Sequence, residues 1–164
     1  MPYIEKKDRP FYDALANTIS IKFLNGYDDF EAELKTFITH INVREEKKQD
    51  GDFNYFLFKI AHMLGYIGQF LFFNASEDSK KVQKFIYDFV VAYSEPESYY
   101  RYNRIIGMLT SCRYEMLRRG NRKDFWFSGY KEFAKILEEV ATDLYWKRTG
   151  SYEERKRITN GDIF

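Results

Sequence analysis

An all-α, single-domain bundle of about six helices is the fold the sequence predicts, on three observations. Apolar residues recur at spacings of three and four along most of the chain, the repeat of a helix with one buried face. Only three prolines occur, Pro2, Pro10 and Pro96, so long stretches lack the residue that most effectively breaks a helix. No segment alternates apolar and polar residues over four or more pairs, as a half-buried strand does. Of the 164 residues, 45% are hydrophobic and 20% aromatic, including 16 Phe and 14 Tyr, which suffices for one core and makes that core rich in phenylalanine.

The first helix is predicted to start near Pro10, which fits an early helical position, behind Asp8 as N-cap. It carries Phe11, Leu15, Ile19 and Phe23 as a stripe and ends at Asn25-Gly26. The second follows Asp28 and Asp29 and places Phe30, Leu34, Phe37, Ile38 and Ile41 on one face. Residues 44–51, REEKKQDG, read as a charged, solvated connection. Phe53 to Phe73 is apolar on nearly every face and long enough to cross a bilayer. Lys59 near its middle, together with Asn54, His62 and Gln69, is costly in lipid, and a central helix walled by other helices explains the pattern without a membrane. The fourth helix, capped by Asn74 or Ser76, buries Val82, Phe85, Ile86, Phe89, Val90 and Tyr93. The fifth opens with a capping box from Ser94 to Glu97 and buries Tyr102, Ile106, Leu109, Met116 and Leu117 before a stop at Gly120. The sixth buries Phe133, Ile136, Leu137, Val140, Leu144 and Tyr145 before a second stop at Gly150. The bundle therefore spans residues 1–150, and residues 151–164 form a polar tail.

Lys and Arg total 26 against 25 Asp and Glu, so the whole-chain charge of +1 favours neither nucleic acid nor acidic partners. A lone cysteine, Cys112, excludes an intrachain disulfide or a Cys-rich metal site and suits a reducing compartment. The first twenty residues contain acids and lack the apolar core of a signal peptide, so the expected location is cytoplasmic.

Motifs for chemistry are sparse. The chain contains no phosphate-binding glycine loop. His40 and His62 lie on different helices, and neither neighbours a serine or cysteine nucleophile. Two carboxylate pairs, Asp28-x-x-Glu31 and Glu139-x-x-x-Asp143, each share a helical face, and hard oxygen ligands suit Mg²⁺. They resemble the acidic motifs of all-α nucleotide pyrophosphohydrolases of the MazG type, although the second spacing departs from that pattern. The resemblance implies, as an alternative, Mg-dependent nucleotide hydrolysis with Asp28, Glu31, Glu139 and Asp143 as ligands. Residues 113–157 hold twelve Lys and Arg against eight Asp and Glu, with Arg118, Arg119, Arg122 and Lys123 beside Phe125, Trp126 and Phe127. Cations beside aromatics suit phosphate and bases, but Trp and Arg also mark tight protein interfaces. With an excess of only four charges, a protein partner is the preferred reading and nucleic acid or nucleotide the alternative.

Four blocks carry a wider resemblance: MPYIEKKDR at the start, GDFNY at 51–55, NRIIGMLTSCRYEMLRR at 103–119 and YEERKRITNGDIF at 152–164. They resemble a family of small uncharacterised phage and bacterial proteins that begin M-P-Y-I, contain G-D-L-N-Y, continue with a helix ending Y-R-R and finish E-N-G-D-V-Y. The helix pattern fits two places, residues 106–119 and 136–148. The resemblance implies a phage or mobile-element origin and a shared fold, without an activity. The expected function is thus non-enzymatic binding through self-association, as a homo-oligomer, or through a host or phage protein, with no cofactor. Its candidate residues are Asn54, Tyr55, Arg118, Arg119, Trp126, Tyr152, Asn160 and Asp162. Asn160-Gly161 favours a turn, Asp162 can accept backbone amides, and Ile158, Ile163 and Phe164 supply anchors, so the tail is expected to fold back. There it acts as a clasp or interface, or walls a pocket together with GDFNY.

Overall fold

The computed structural model describes residues 3–67, 76–120 and 129–163. These residues are helical throughout their ordered elements and contain no strand. A 3-10 turn, Lys6–Asp8, leads into α1, Arg9–Leu24, followed by α2, Glu31–Asn42, and α3, Glu46–Ile67. After these come α4, Ser76–Tyr93, and α5, Tyr99–Gly120. The last helical run comprises α6, Gly129–Leu144, a π-helical turn, Tyr145–Thr149, and α7, Gly150–Asn160. Counted as one run, this last segment makes six helical segments among the described residues.

Local chemistry explains the ends. Pro10 occupies the first turn of α1, where a missing N–H costs nothing. The helix closes as a Schellman motif: Gly26 N–H reaches the Phe23 carbonyl and Tyr27 N–H the Lys22 carbonyl. Gly26 sits at φ 87°, where a Cβ would be strained. Asp8 does not cap α1 with its side chain, because that carboxylate pairs with Arg44 instead. The Ser94–Glu97 capping box is likewise not formed. Ser94 Oγ donates to the Val91 carbonyl, while Ser98 Oγ accepts the Arg101 N–H and starts α5. The cap expected at Asn74 or Ser76 lies outside the described side chains.

Two expectations are corrected. Most of REEKKQDG is the first turns of α3: Glu46 and Lys47 face solvent from its outer side, while Arg44, paired with Asp52, and Asp50, paired with Arg104, turn toward the bundle. Gly150 is not a stop: it is helical at φ −60°, ψ −40°, and its N–H donates to the Tyr145 carbonyl across the π turn. A Cβ there would lie 3.2 Å from that carbonyl oxygen, so glycine serves the close approach inside a continuing helix.

α3 sits at the centre and packs against α1, α2, α5 and α6, while α6 also lies along α4 and α5. From Phe53 to Phe58 every side chain of α3 is buried, which is the pattern a surrounded helix requires. All six residues predicted for the inner face of α4 are buried. In α5 the buried stripe is Tyr102, Ile105, Met108, Leu109, Cys112 and Met116, so Ile106 and Leu117 are only half-buried. Rings dominate the centre. Phe37 lies 4.7 Å from Phe56 and 4.9 Å from Phe53, and Phe56 stacks on Phe89 at 5.7 Å. No helix among the described residues is long and apolar enough to cross a membrane.

Phe37 is fully buried and meets rings from three other helices, α1, α3 and α4, so Phe37→Ala should cost about 3–5 kcal/mol by transfer loss plus cavity. Urea unfolding should show a lowered midpoint with an unchanged slope. A loss under about 1 kcal/mol would contradict this packing.

Candidate functional site

The buried charges at the start of α3 set the geometry of everything near it. Asp52 is 1% exposed and accepts hydrogen bonds from Tyr12 Oη at 2.6 Å and Arg44 Nε at 2.7 Å. Arg44 also pairs with Asp8 at 3.1 Å. Two residues earlier, Asp50 accepts the Tyr93 hydroxyl at 2.6 Å and pairs with Arg104 at 3.1 Å, and Arg104 reaches Glu46 at 2.8 Å. Burial, then the bond to Asp52, raises the Tyr12 phenol above its ordinary value, and the bond to Asp52 raises the Arg44 guanidinium. Each carboxylate in this frame already has a guanidinium partner.

One turn further along α3 the chain opens a cleft of about 260 Å³. Its walls bring Tyr3, from the first block of the resemblance, to Tyr55, from the second, and Arg119, from the third. The Tyr55 hydroxyl donates to Asp13 at 2.6 Å, and the Arg9 guanidinium lies over the Tyr55 ring at 5.5 Å. Arg9 Nε and Nη2 both donate to the Ile4 carbonyl, at 3.1 and 3.0 Å, which fixes that plane. Tyr3 Oη donates to Glu115 at 2.7 Å and accepts from Arg119 at 2.8 Å. Arg118 holds Glu115 with two bonds, 2.9 and 2.6 Å, and lowers its carboxyl below the usual range. Lys59 stands 3.7 Å from Asp13, and His62, also on the wall, is pushed down first by burial and then by Lys59 and Arg119.

The remaining candidates lie elsewhere. Asn54 is 2% exposed, does not line the cleft, and its Oδ1 has no hydrogen-bond partner. Trp126 lies outside the described residues. Tyr152 packs edge-on against Tyr102 at 5.8 Å. Asn160 ends α7, and Asp162 pairs with Arg157 at 3.6 Å. The described part of the tail does not fold back: nothing from 151 to 160 interrupts the helix, no residue of α7 is buried, and Ile163 is 92% exposed, while Phe164 lies outside the described residues. The partners of GDFNY in the cleft are therefore Tyr3 and Arg119.

Asp28 and Glu31 line a groove of about 480 Å³ between α2 and α4, whereas Glu139 and Asp143 line others along α6. Asp143 accepts from Gln83 at 3.0 Å and faces Lys147 at 3.9 Å. The two pairs do not converge. Among the described residues no group of three or more His, Cys, Asp or Glu is gathered as a metal site. Burial pushes the Cys112 thiol up, which makes it a poor nucleophile.

No family model matches the chain, and neither a curated protein nor a solved structure does. Sequence reasoning missed Tyr3, Arg9, Phe58, Lys59, His62, Glu115 and Tyr130 as site residues. Arg9 and Glu115 stood inside blocks already singled out, but Lys59 registered only as an obstacle to membrane insertion.

His40, stacked on Phe11 at 3.7 Å, is lowered by burial as His62 is. Both rings should titrate below 6.5 in the native state when followed by their NMR ring resonances. As pH falls, the unfolded chain takes up these protons first. The stability owed to neutral histidines is thus whole above about pH 6.5 and declines as pH drops through the native midpoints. Arg44→Ala, which strands Asp52 in the interior, should cost about 3–5 kcal/mol in denaturant unfolding.

Proposed function

We propose that the chain is a non-enzymatic interaction protein, of the phage type its four blocks resemble, that associates with a second copy of itself through its C-terminal helix. The observation that carries this is α7. None of its residues is buried, and it extends a surface on which Trp146 is 75%, Ile158 71% and Ile163 92% exposed. Exposed apolar groups in that number on a projecting element favour burial against a partner. Tyr152 on Tyr102 and the Arg155–Glu97 pair at 2.6 Å tether its first half.

Charge complementarity supports one surface as the partner. Lys147, Arg148, Arg155, Lys156 and Arg157 make this arm net basic against Glu153, Glu154 and Asp162. The groove between α2 and α4 offers the complement. Its floor includes Phe30, Leu34, Phe85 and Phe89. Its rim sets Asp28, Asp29, Glu31, Asp88 and Glu95 against Lys81 and Lys84. Apolar anchors with a basic edge meet an apolar floor with an acidic edge, which is the arrangement that fixes register and speeds encounter. Arm and groove are different surfaces of one chain, so the contact is head-to-tail and closes into a ring or extends as a filament.

Light scattering after size exclusion should give a mass above 19.8 kDa that rises with concentration. Ile158→Asp and Asp88→Lys should each return the protein to a monomer while far-UV circular dichroism is unchanged. A wild-type monomer at every concentration defeats the proposal. Oligomers that survive both substitutions assign the contact to another surface.

A further inference from the structure

The arm joins α6 through the π turn, and the one extra residue in that turn decides which way the arm faces. In an α-helix each residue turns the chain by about 100°, so residues three, four and seven apart share a side. The inward stripe of α6 ends at Leu144. An unbroken helix would continue it through Arg148, Ser151, Arg155 and Ile158, each within about 40° of Leu144. The chain takes another course. Gly150 N–H bonds five residues back, to the Tyr145 carbonyl, so the turn absorbs one residue and shifts every later one by about 100°. Thr149, which is buried, and Tyr152, 5.8 Å from the Tyr102 ring, therefore take the inward positions. Ile158 is carried to the outer side, about 140° from Leu144, where it is exposed.

Opposed contacts bear on this register. Tyr152 on Tyr102 and Arg155 on Glu97 hold it. Against it, the Thr149 hydroxyl is buried with no hydrogen-bond partner, a costly state that an unbroken helix would relieve by turning Thr149 about 140° away from Leu144. The turn also relies on Gly150, because a Cβ there would stand 3.2 Å from the Tyr145 carbonyl oxygen. We infer that the π turn is a register switch for the arm. In the π register Ile158 is presented to a partner. When the turn relaxes to α, the arm rotates by roughly 100° on its axis, Tyr152 leaves Tyr102, and Ile158 comes to the bundle side, out of a partner's reach. The effect on self-association rests on the arm–groove contact proposed above, whereas the rotation does not.

NMR of the full chain reads the register, since the Tyr102 and Tyr152 rings are close enough for a nuclear Overhauser effect only in the π form. Gly150→Ala crowds the Tyr145 carbonyl and favours an α-helix. It should abolish that effect and shield the Ile158 methyls from a dissolved paramagnetic agent, with far-UV circular dichroism unchanged. Sedimentation should then show association weakened at least about ten-fold, as the competent register falls below about a tenth of the molecules. Deleting the exposed Arg148 from the Gly150→Ala chain leaves an unbroken helix yet returns Thr149, Tyr152 and Ile158 to their present sides. That deletion should restore both the ring contact and the association. The switch is overturned if Gly150→Ala keeps the Tyr102–Tyr152 effect, or if the deletion does not bring it back. A wild-type monomer at every concentration overturns the arm–groove contact alone, and the ring contact still decides the switch.

Discussion

The bundle depends on how α3 keeps two carboxylates inside it. Successive residues of a helix are about 100° apart, so Asp50 and Asp52 point to nearly opposite sides. Asp52 ties α1 and the end of α2 through Tyr12 and Arg44, and Asp50 ties α4 and α5 through Tyr93 and Arg104. An unpaired carboxylate in such surroundings costs several kcal/mol, whereas a paired one contributes little net energy but admits only one arrangement of its partners. The aromatic centre is different. Phe37, Phe53, Phe56 and Phe89 supply non-directional burial in that region, whereas the two aspartates add directional bonds to named partners.

Those bonds bring the cleft together. Tyr55 follows Asp52 by three residues, so the pairs that hold the start of α3 also hold the Tyr55 ring toward α1, where Asp13 and Arg9 meet it. From the other side Glu115 and Arg119 of α5 draw in Tyr3, which ties the N-terminal segment across the bundle by hydrogen bonds spanning 112 and 116 residues of sequence. Cations lie over rings at each step. The arm, at the opposite end of the chain, has no buried residue. The cleft and the arm thus occupy separate parts of the molecule.

Much of the architecture was legible because burial is periodic. The inner face of α4 and that of α6 up to Leu144 follow the apolar spacing residue for residue. Legibility failed where a polar group was buried or a glycine did unusual work. Arg44, Asp50 and the Asp52 that follows REEKKQDG read as solvent-facing because they are charged, and Tyr12, Tyr93 and Arg104, drawn from three other helices, turn them toward the bundle. Gly150 reads as a terminator because glycine usually is one, and a π turn needs its missing Cβ instead. Of the candidate site residues, Tyr55 and Arg119 meet in the cleft, but nothing in the local pattern paired them with Arg9, Lys59 and His62.

Composition and spacing by themselves determined that this chain is helical, that its core is phenylalanine-rich and that α3 is the element the others cover. Those are properties of residues a few positions apart, and a helix repeats every 3.6 of them. Which carboxylates are structural, which cations gather at one wall, and whether the last helix docks or projects were decided only by tertiary structure. Charges act over distances of space, and residues 3, 9, 55, 59 and 119 become neighbours only after the helices have packed.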